Sequence, residues 1–224
     1  MNYCVIFIIL MVISMIIQVV LKSKFNKYSK VALPGGLTGA DVAARMLAGA
    51  GINDVTIRPT NGTLTDFYDP RSKTVNLSEG VYASNSIAAA AIAAHECGHA
   101  IQHKVGYGPL RMRSALVPVV TFANNIVMWV LLLGILLIEV FPGLFWAGIA
   151  LFAMTTLFSF ITLPVEINAS KRAVKFLTDT GVIYESQRSM AVDALKWAAY
   201  TYVIAALSSL ATLLYYISIG NSRR

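Results

Sequence analysis

Long uninterrupted apolar runs dominate the chain and predict its main elements. Four runs reach the roughly 18 residues that a membrane-spanning helix requires. They cover residues 3–21, 115–138, 143–163 and 197–219. Aromatic side chains lie near both ends of the last run, as is typical of a helix that meets two membrane interfaces. We therefore predict a mainly α membrane protein with four transmembrane helices, a long polar loop over 22–114 and a second loop over 164–196.

The long polar loop contains two predicted helices. Thr38 and Asp41 form a capping-box-like start for a helix over 39–48, which glycines end. Ser86 begins an alanine-rich helix over 87–102. The long polar loop is therefore predicted to be folded.

Three short β-prone runs lie between the two helices, at 55–58, 64–68 and 73–77. The last two are separated by Asp-Pro-Arg-Ser at 69–72, which suits a type I turn. They predict a β-hairpin, and the whole loop reads as a small α+β region. The length of the chain favours a single domain over 1–224.

Composition agrees with a membrane protein and excludes other classes. The 224 residues are 57% hydrophobic and 13% charged, whereas globular chains are about 45–50% apolar and about 25% charged. Such hydrophobicity excludes a disordered chain, and two cysteines are too few for a disulfide scaffold. The net charge of +7 comes from dispersed basic residues without a nucleic-acid motif. We therefore expect contact with a lipid bilayer and no nucleic-acid partner.

The distribution of Lys and Arg predicts the orientation of the chain. Eleven lie within 22–113, five within 171–196, two at Arg223 and Arg224, and none before the first run or in the turn at 139–142. The positive-inside bias places both long loops in the cytoplasm and both termini outside. Because lysines follow the first run and none precede it, we interpret that run as an uncleaved anchor.

The alanine-rich helix carries the motif His95-Glu96-Cys97-Gly98-His99, an H-E-x-x-H pattern. Residues four apart share a helix face, so both imidazoles can reach one metal ion and Glu96 can activate a water there. Neutral imidazole suits zinc. His103 lies about 12 Å along the axis from His95, too far for a third ligand on the same helix. We expect His103 to support the site or face solvent, and Cys97 to be packed.

A third ligand must come from elsewhere in the chain. Glu166 stands out because it follows the third apolar run, where an ionisable group is costly without a partner. Two crossings separate the motif from Glu166, so both lie on one side of the membrane. Alternatively, Glu166 is an interfacial charge paired with Lys171 or Arg172. Three other acidic residues are weaker candidates because turns and hairpins commonly use them: Asp66, Asp69 and Glu79.

Segments spread over nearly the whole chain resemble the YugP-like family of membrane zinc metallopeptidases. They are residues 64–78, 94–103, 164–170, 198–206 and 213–216. More distantly the chain is similar to HtpX and the CAAX prenyl protease-type gluzincins, whose zinc is held by two motif histidines and a downstream glutamate. The resemblance implies that His95, His99 and Glu166 hold Zn²⁺ and that Glu96 is the catalytic glutamate.

Three positions depart from those patterns. Ser170 stands where HtpX-like proteins usually have aspartate, and Asn168 stands where YugP-like sequences often have an acidic residue. Phe67 replaces a residue that is often histidine. We therefore expect the groups that support the ligands to differ from those of relatives, and no metal role applies to position 67.

These observations predict an integral zinc-dependent metalloendopeptidase, expected in a bacterial cell membrane. Its active site would face the cytoplasm, and its substrates would be membrane or membrane-associated proteins. The strand at 73–77 could align an extended substrate by β-addition. Four residues are candidate oxyanion donors by location only: Tyr107, Arg111, Arg113 and Arg172.

Two other functions stay open. One is a site-2-type intramembrane protease with the motif inside a spanning helix, although only eight apolar residues precede the motif and no Leu-Asp-Gly motif is present. The other is a non-catalytic, zinc-binding membrane scaffold, although structural zinc usually fills all four positions with Cys and His.

Overall fold

A computed structural model of the protein describes residues 3–222, so Arg223 and Arg224, which enter the charge count, lie outside the described residues. Over that range the chain forms seven α-helices, three β-strands and a 3-10 turn at Pro34–Gly36. In chain order the elements are α1 Tyr3–Tyr28, α2 Gly39–Gly49, β1 Thr56–Thr60, β2 Phe67–Asp69, β3 Thr74–Ser78, α3 Glu79–Tyr82, α4 Ile87–Lys104, α5 Gly108–Leu136, α6 Pro142–Asp179 and α7 Glu185–Ser222. The protein is mainly helical, as predicted.

Four helices, α1, α5, α6 and α7, are long and apolar enough to cross a membrane. This finding agrees with the four predicted spans. The helices do not stop where the apolar runs stop, because α6 continues to Asp179 and α7 already begins at Glu185. Residues 164–196, which we expected to form a loop, are therefore mostly helical.

Helix α6 passes through Pro164, where the sequence predicts a boundary. A proline inside a helix removes a backbone hydrogen bond and costs roughly 3 kcal/mol. A stripe of fully buried side chains follows at four-residue intervals, formed by Val165, Ala169, Ala173 and Leu177. This spacing keeps the four on one helix face, and their burial helps to offset the cost of the proline.

The chain divides into two compact units, the first of which we call the helical unit. It comprises the described residues up to 16, then 111–164 and those from 201 onward. Its helices pack closely where small residues meet: a Cβ on Gly134 would lie 2.6 Å from the Cα of Phe145. The hydroxyls of Thr156 and Ser209 form a hydrogen bond of 2.7 Å between α6 and α7. Such contacts are usual between membrane helices.

The second unit, which we call the motif unit, comprises residues 17–110 and 165–200. Helix α4 is its core helix, because alanines on all its faces are fully buried, from Ala88 to Ala91 and at Ala93 and Ala94. Ser86 caps α4 by accepting a hydrogen bond from the Ala89 amide at 3.2 Å. The predicted capping box of α2 is also present. The predicted starts of both helices are therefore confirmed.

The motif unit contains one three-stranded sheet among the described residues, in the order β1-β3-β2. Strands β2 and β3 pair antiparallel, which confirms the predicted hairpin. Strand β1 pairs parallel with β3, with Thr56 opposite Thr74. The prediction that the strand at 73–77 binds substrate by β-addition is wrong, because β3 is central and both of its edges are already paired.

Candidate metal centre

Helices α4 and α6 approach each other closely at Gly98. A Cβ on Gly98 would lie 2.8 Å from the carbonyl oxygen of Ala169 and 3.1 Å from its Cα. Only glycine allows this approach without moving backbone atoms. The contact joins the segment of α4 that carries the motif histidines to the segment of α6 that carries Glu166. It therefore sets the spacing of the candidate ligands.

Three side chains converge at this contact: His95, His99 and Glu166. The Nε2 atoms of the two histidines are 3.2 Å apart. The Glu166 Oε2 lies 3.2 Å from the His95 Nε2 and 3.6 Å from the His99 Nε2. Glu166 is only 3% exposed. The three residues form a candidate metal site.

The spacing of these atoms fits a tetrahedral zinc ion. Ligand atoms about 2.0–2.1 Å from such an ion lie roughly 3.3 Å from one another. The three distances here, 3.2, 3.2 and 3.6 Å, match that value closely. Two imidazole nitrogens and one carboxylate are also a ligand set that catalytic zinc uses, with a fourth position left for water or substrate.

Both histidines are held by hydrogen bonds on the opposite side of their rings. The Nδ1 of His95 lies 3.1 Å from the Ser170 hydroxyl. The Nδ1 of His99 lies 3.1 Å from the Gln102 side-chain oxygen. Partners of this kind orient metal-binding imidazoles and support their basicity. Both Nε2 atoms are therefore directed at Glu166.

The catalytic candidate Glu96 is oriented by the backbone of the hairpin. Its Oε2 accepts a hydrogen bond of 3.0 Å from the amide of Tyr68 in β2. Glu96 is 8% exposed, and it neighbours both motif histidines on the helical wheel. One buried carboxylate thus lies beside the candidate ligands without being one of the three.

Charges around the site favour a positive centre. Burial acts to lower the pKa of His99, but the carboxylates of Glu166 and Glu96 outweigh it and leave that pKa raised. A cation at this point would satisfy the same carboxylates. Burial raises the pKa of the Cys97 thiol, and its sulfur donates to the Ala43 carbonyl. Cys97 is packed, as predicted, and it is not one of the three grouped residues.

Comparison with known proteins identifies the family. A family model described as "Putative neutral zinc metallopeptidase" matches residues 3–221. The chain belongs to this family. It is also 45% identical over 202 residues to the "Putative membrane protease YugP" of Bacillus subtilis (strain 168), covering 90% of this chain and 89% of that protein. No solved structure matches significantly.

Membership of a zinc metallopeptidase family agrees with the ligand set. Zinc is the cofactor of the family, and His95, His99 and Glu166 form the candidate site for it. The resemblance noted in the sequence is therefore confirmed, and so is the zinc cofactor. Which residues bind zinc and which act in catalysis stay predictions.

Other candidate residues have structural contacts. His103 is exposed, and its Nδ1 lies 2.9 Å from the Tyr68 hydroxyl. Asp66 accepts hydrogen bonds from the backbone and hydroxyl of Ser78, and Asp69 accepts them within the hairpin turn. Burial raises the pKa of Asp66. These carboxylates support the hairpin, as expected of turn residues.

The candidate oxyanion donors gain no support from the described contacts. Arg172 donates through Nε to the side-chain oxygen of Asn168 at 2.8 Å. Tyr107 donates its backbone amide to the Gln102 carbonyl. Arg111 and Arg113 belong to the helical unit. An oxyanion role for any of the four stays a prediction.

Sequence reasoning missed Gly98, Gln102 and the amide of Tyr68. The sequence contained a signal for two of them. Gln102 is three residues after His99, on the same helix face, and Gly98 is a glycine inside a predicted helix. The Tyr68 amide had none, because a backbone group carries no residue-type signal.

Proposed function

We propose that this protein is an integral membrane zinc-dependent metalloendopeptidase that cleaves membrane or membrane-associated proteins. The observation that carries the proposal is the convergence of two Nε2 atoms and one carboxylate oxygen at the spacing of zinc ligands. A second buried carboxylate, Glu96, lies beside them. We further propose that residues 1–224 act as a single metallopeptidase domain.

His95, His99 and Glu166 are assigned to zinc, and Glu96 to proton transfer. Zinc bound there supplies Lewis acidity, which polarises a scissile carbonyl and acidifies water. Glu96 takes a proton from the attacking water and delivers it to the leaving amine. The Tyr68 amide holds the Glu96 carboxylate in place during both transfers, because its hydrogen bond comes from rigid backbone.

The alternatives are less well supported. Helix α4 is not among the four helices of membrane length and apolarity found in residues 3–222, which disfavours a site-2-type protease with its motif inside a span. A scaffold with structural zinc would not need a buried carboxylate next to three ligands, since such sites are usually closed by a fourth Cys or His. The gluzincin-like ligand set therefore favours the peptidase.

The motif unit is proposed to lie on the cytoplasmic side of a bacterial membrane. The support is the positive-inside bias, since sixteen of the eighteen Lys and Arg residues lie in the segments 22–113 and 171–196. A reporter fused after residue 224 should be active outside the cytoplasm. Activity only in the cytoplasm would contradict this orientation.

The test of function uses the full-length protein reconstituted in liposomes with a membrane-tethered, quenched fluorescent peptide. The wild type should cleave the peptide, while Glu96→Gln should lose cleavage and keep one zinc per chain, because glutamine cannot take the proton. Glu79→Gln is the matched control, since Glu79 is exposed at the start of α3. Undiminished cleavage by Glu96→Gln contradicts the proposal, and zinc without any cleavage by the wild type favours the scaffold.

A further inference from the structure

The side chain of Gln102 connects the candidate ligands of α4 to α6. Gln102 is fully buried. Its Nε2 lies 2.8 Å from the carbonyl oxygen of Val165 and 3.0 Å from the Oδ1 of Asn168, while its Oε1 lies 3.1 Å from the Nδ1 of His99. One amide thus contacts a candidate zinc ligand at one end and the residue next to Glu166 at the other.

The orientation of this amide is determined by its partners. A backbone carbonyl can only accept a hydrogen bond, so the Gln102 atom facing Val165 must be the NH₂ group. Asn168 imposes the same orientation independently. Arg172 can only donate, and its Nε lies 2.8 Å from the Asn168 Oδ1, so the Gln102 atom facing that oxygen must also be a donor.

This orientation has a consequence for His99. With its NH₂ group turned to α6, Gln102 can offer only an acceptor to His99, so the proton of the neutral imidazole must lie on Nδ1. The Nε2 then carries the lone pair, and Nε2 is the atom that lies among His95 and Glu166. The opposite tautomer would place two acceptors in contact at Nδ1 and a proton where a metal should bind.

We propose that Gln102 is a positioning residue that fixes the tautomer of His99 and so prepares its Nε2 for zinc. The Val165 carbonyl and the Arg172–Asn168 pair hold the amide in the required orientation. The inference rests on the proposed zinc site, and it adds a role for the one buried glutamine of the motif helix.

The test measures zinc affinity by chelator competition on the full-length protein in detergent. Gln102→Met fills similar volume without polar atoms, and we expect zinc binding to weaken roughly 10- to 100-fold, as for other partners of metal-binding histidines. Gln187→Met is the matched control, because Gln187 is a partly exposed glutamine that accepts a hydrogen bond from the Tyr184 amide at the start of α7, and the zinc affinity of this variant should not change. Wild-type protein without bound zinc would contradict the proposed function itself.

A second variant separates tautomer control from a purely structural link between α4 and α6. Gln102→Glu keeps an acceptor for His99 but, when ionised, loses both donors to α6. We expect it to bind zinc about as tightly as the wild type. If Gln102 is only a link between helices, Gln102→Glu should weaken zinc binding as much as Gln102→Met, and that result would overturn the proposal.

Nitrogen NMR reports the tautomer directly. The chain has three histidines, so ¹⁵N-histidine labelling gives three ring systems. In metal-free wild type, at alkaline pH where the rings are neutral, His99 should be protonated at Nδ1, and Gln102→Glu should retain this form. Gln102→Met should show a mixture of both tautomers. An Nε2-protonated His99 in the wild type, or an unchanged tautomer in Gln102→Met, would overturn the inference.

Discussion

Replacing Gly98 by alanine is a sharp test of how the site is built, because local and tertiary effects oppose each other. Inside a helix, alanine is favoured over glycine by about 1 kcal/mol, so α4 considered alone should become more stable. In the fold, however, the new Cβ would lie 2.8 Å from the Ala169 carbonyl oxygen. Ordinary contacts begin near 3.4 Å, so the two backbones must separate by about 0.6 Å.

This displacement matters more for zinc than for folding. Overpacking costs about 1–3 kcal/mol, and the helix-propensity gain offsets about 1 of it, so the free energy of unfolding of metal-free protein should fall by roughly 0–2 kcal/mol. Ala169 lies three residues after Glu166 on α6. A displacement of Ala169 away from α4 therefore also moves Glu166 away from the histidines. Because zinc–ligand distances tolerate only about 0.2 Å, zinc binding should weaken at least roughly tenfold.

Chelator competition on purified protein measures that affinity, and thermal unfolding with chelator present measures stability. Gly49→Ala is the matched control, because Gly49 is also helical and a Cβ there would meet nothing within 4 Å. It should bind zinc like the wild type. Equal zinc affinity in Gly98→Ala would refute the argument that this contact sets the ligand spacing.

Four further predictions concern the motif unit. Ser170→Asp should tighten zinc binding in the chelator assay, because a carboxylate accepts the His95 Nδ1–H more strongly than a hydroxyl; weaker binding would count against that hydrogen bond. Asp193→Ala should lower the free energy of unfolding by about 1–3 kcal/mol, since the buried Tyr28 hydroxyl and the Trp197 indole N–H both lose their carboxylate acceptor. Lys24→Met should destabilise the protein less than Asp193→Ala in the same unfolding measurement, because the ion pair of Lys24 with Asp193 is partly exposed. In a Cys4→Ser background, Cys97 should resist maleimide until denaturant is added, because it is fully buried; rapid labelling of native protein would show otherwise.

The elements that could be predicted are those with local signals. Span number follows from the length of apolar runs, and the start of α4 follows from Ser86 as a cap. The continuation of α6 beyond Pro164 could not be predicted, because a stripe of apolar residues at four-residue spacing is informative only when its partner helix is known. The parallel pairing of β1 with β3 depends on distant segments in the same way.

The candidate site shows a similar division. His95, Glu96 and His99 could be identified from spacing within one helix turn, whereas Glu166 needed a resemblance as well as its place after an apolar run. Gly98 and Gln102 acquire their roles only from backbone atoms of α6. Their function depends on the approach of two helices far apart in sequence, which no local pattern encodes.

The most direct test of the account is an anomalous difference map at the zinc edge from crystals of the zinc-loaded protein. We predict one zinc peak per chain about 2.0–2.1 Å from the Nε2 atoms of His95 and His99, with a Glu166 carboxylate oxygen as the third protein ligand. A zinc ion bound elsewhere, or bound at the histidines with Glu166 turned away, would contradict the assignment of the metal centre.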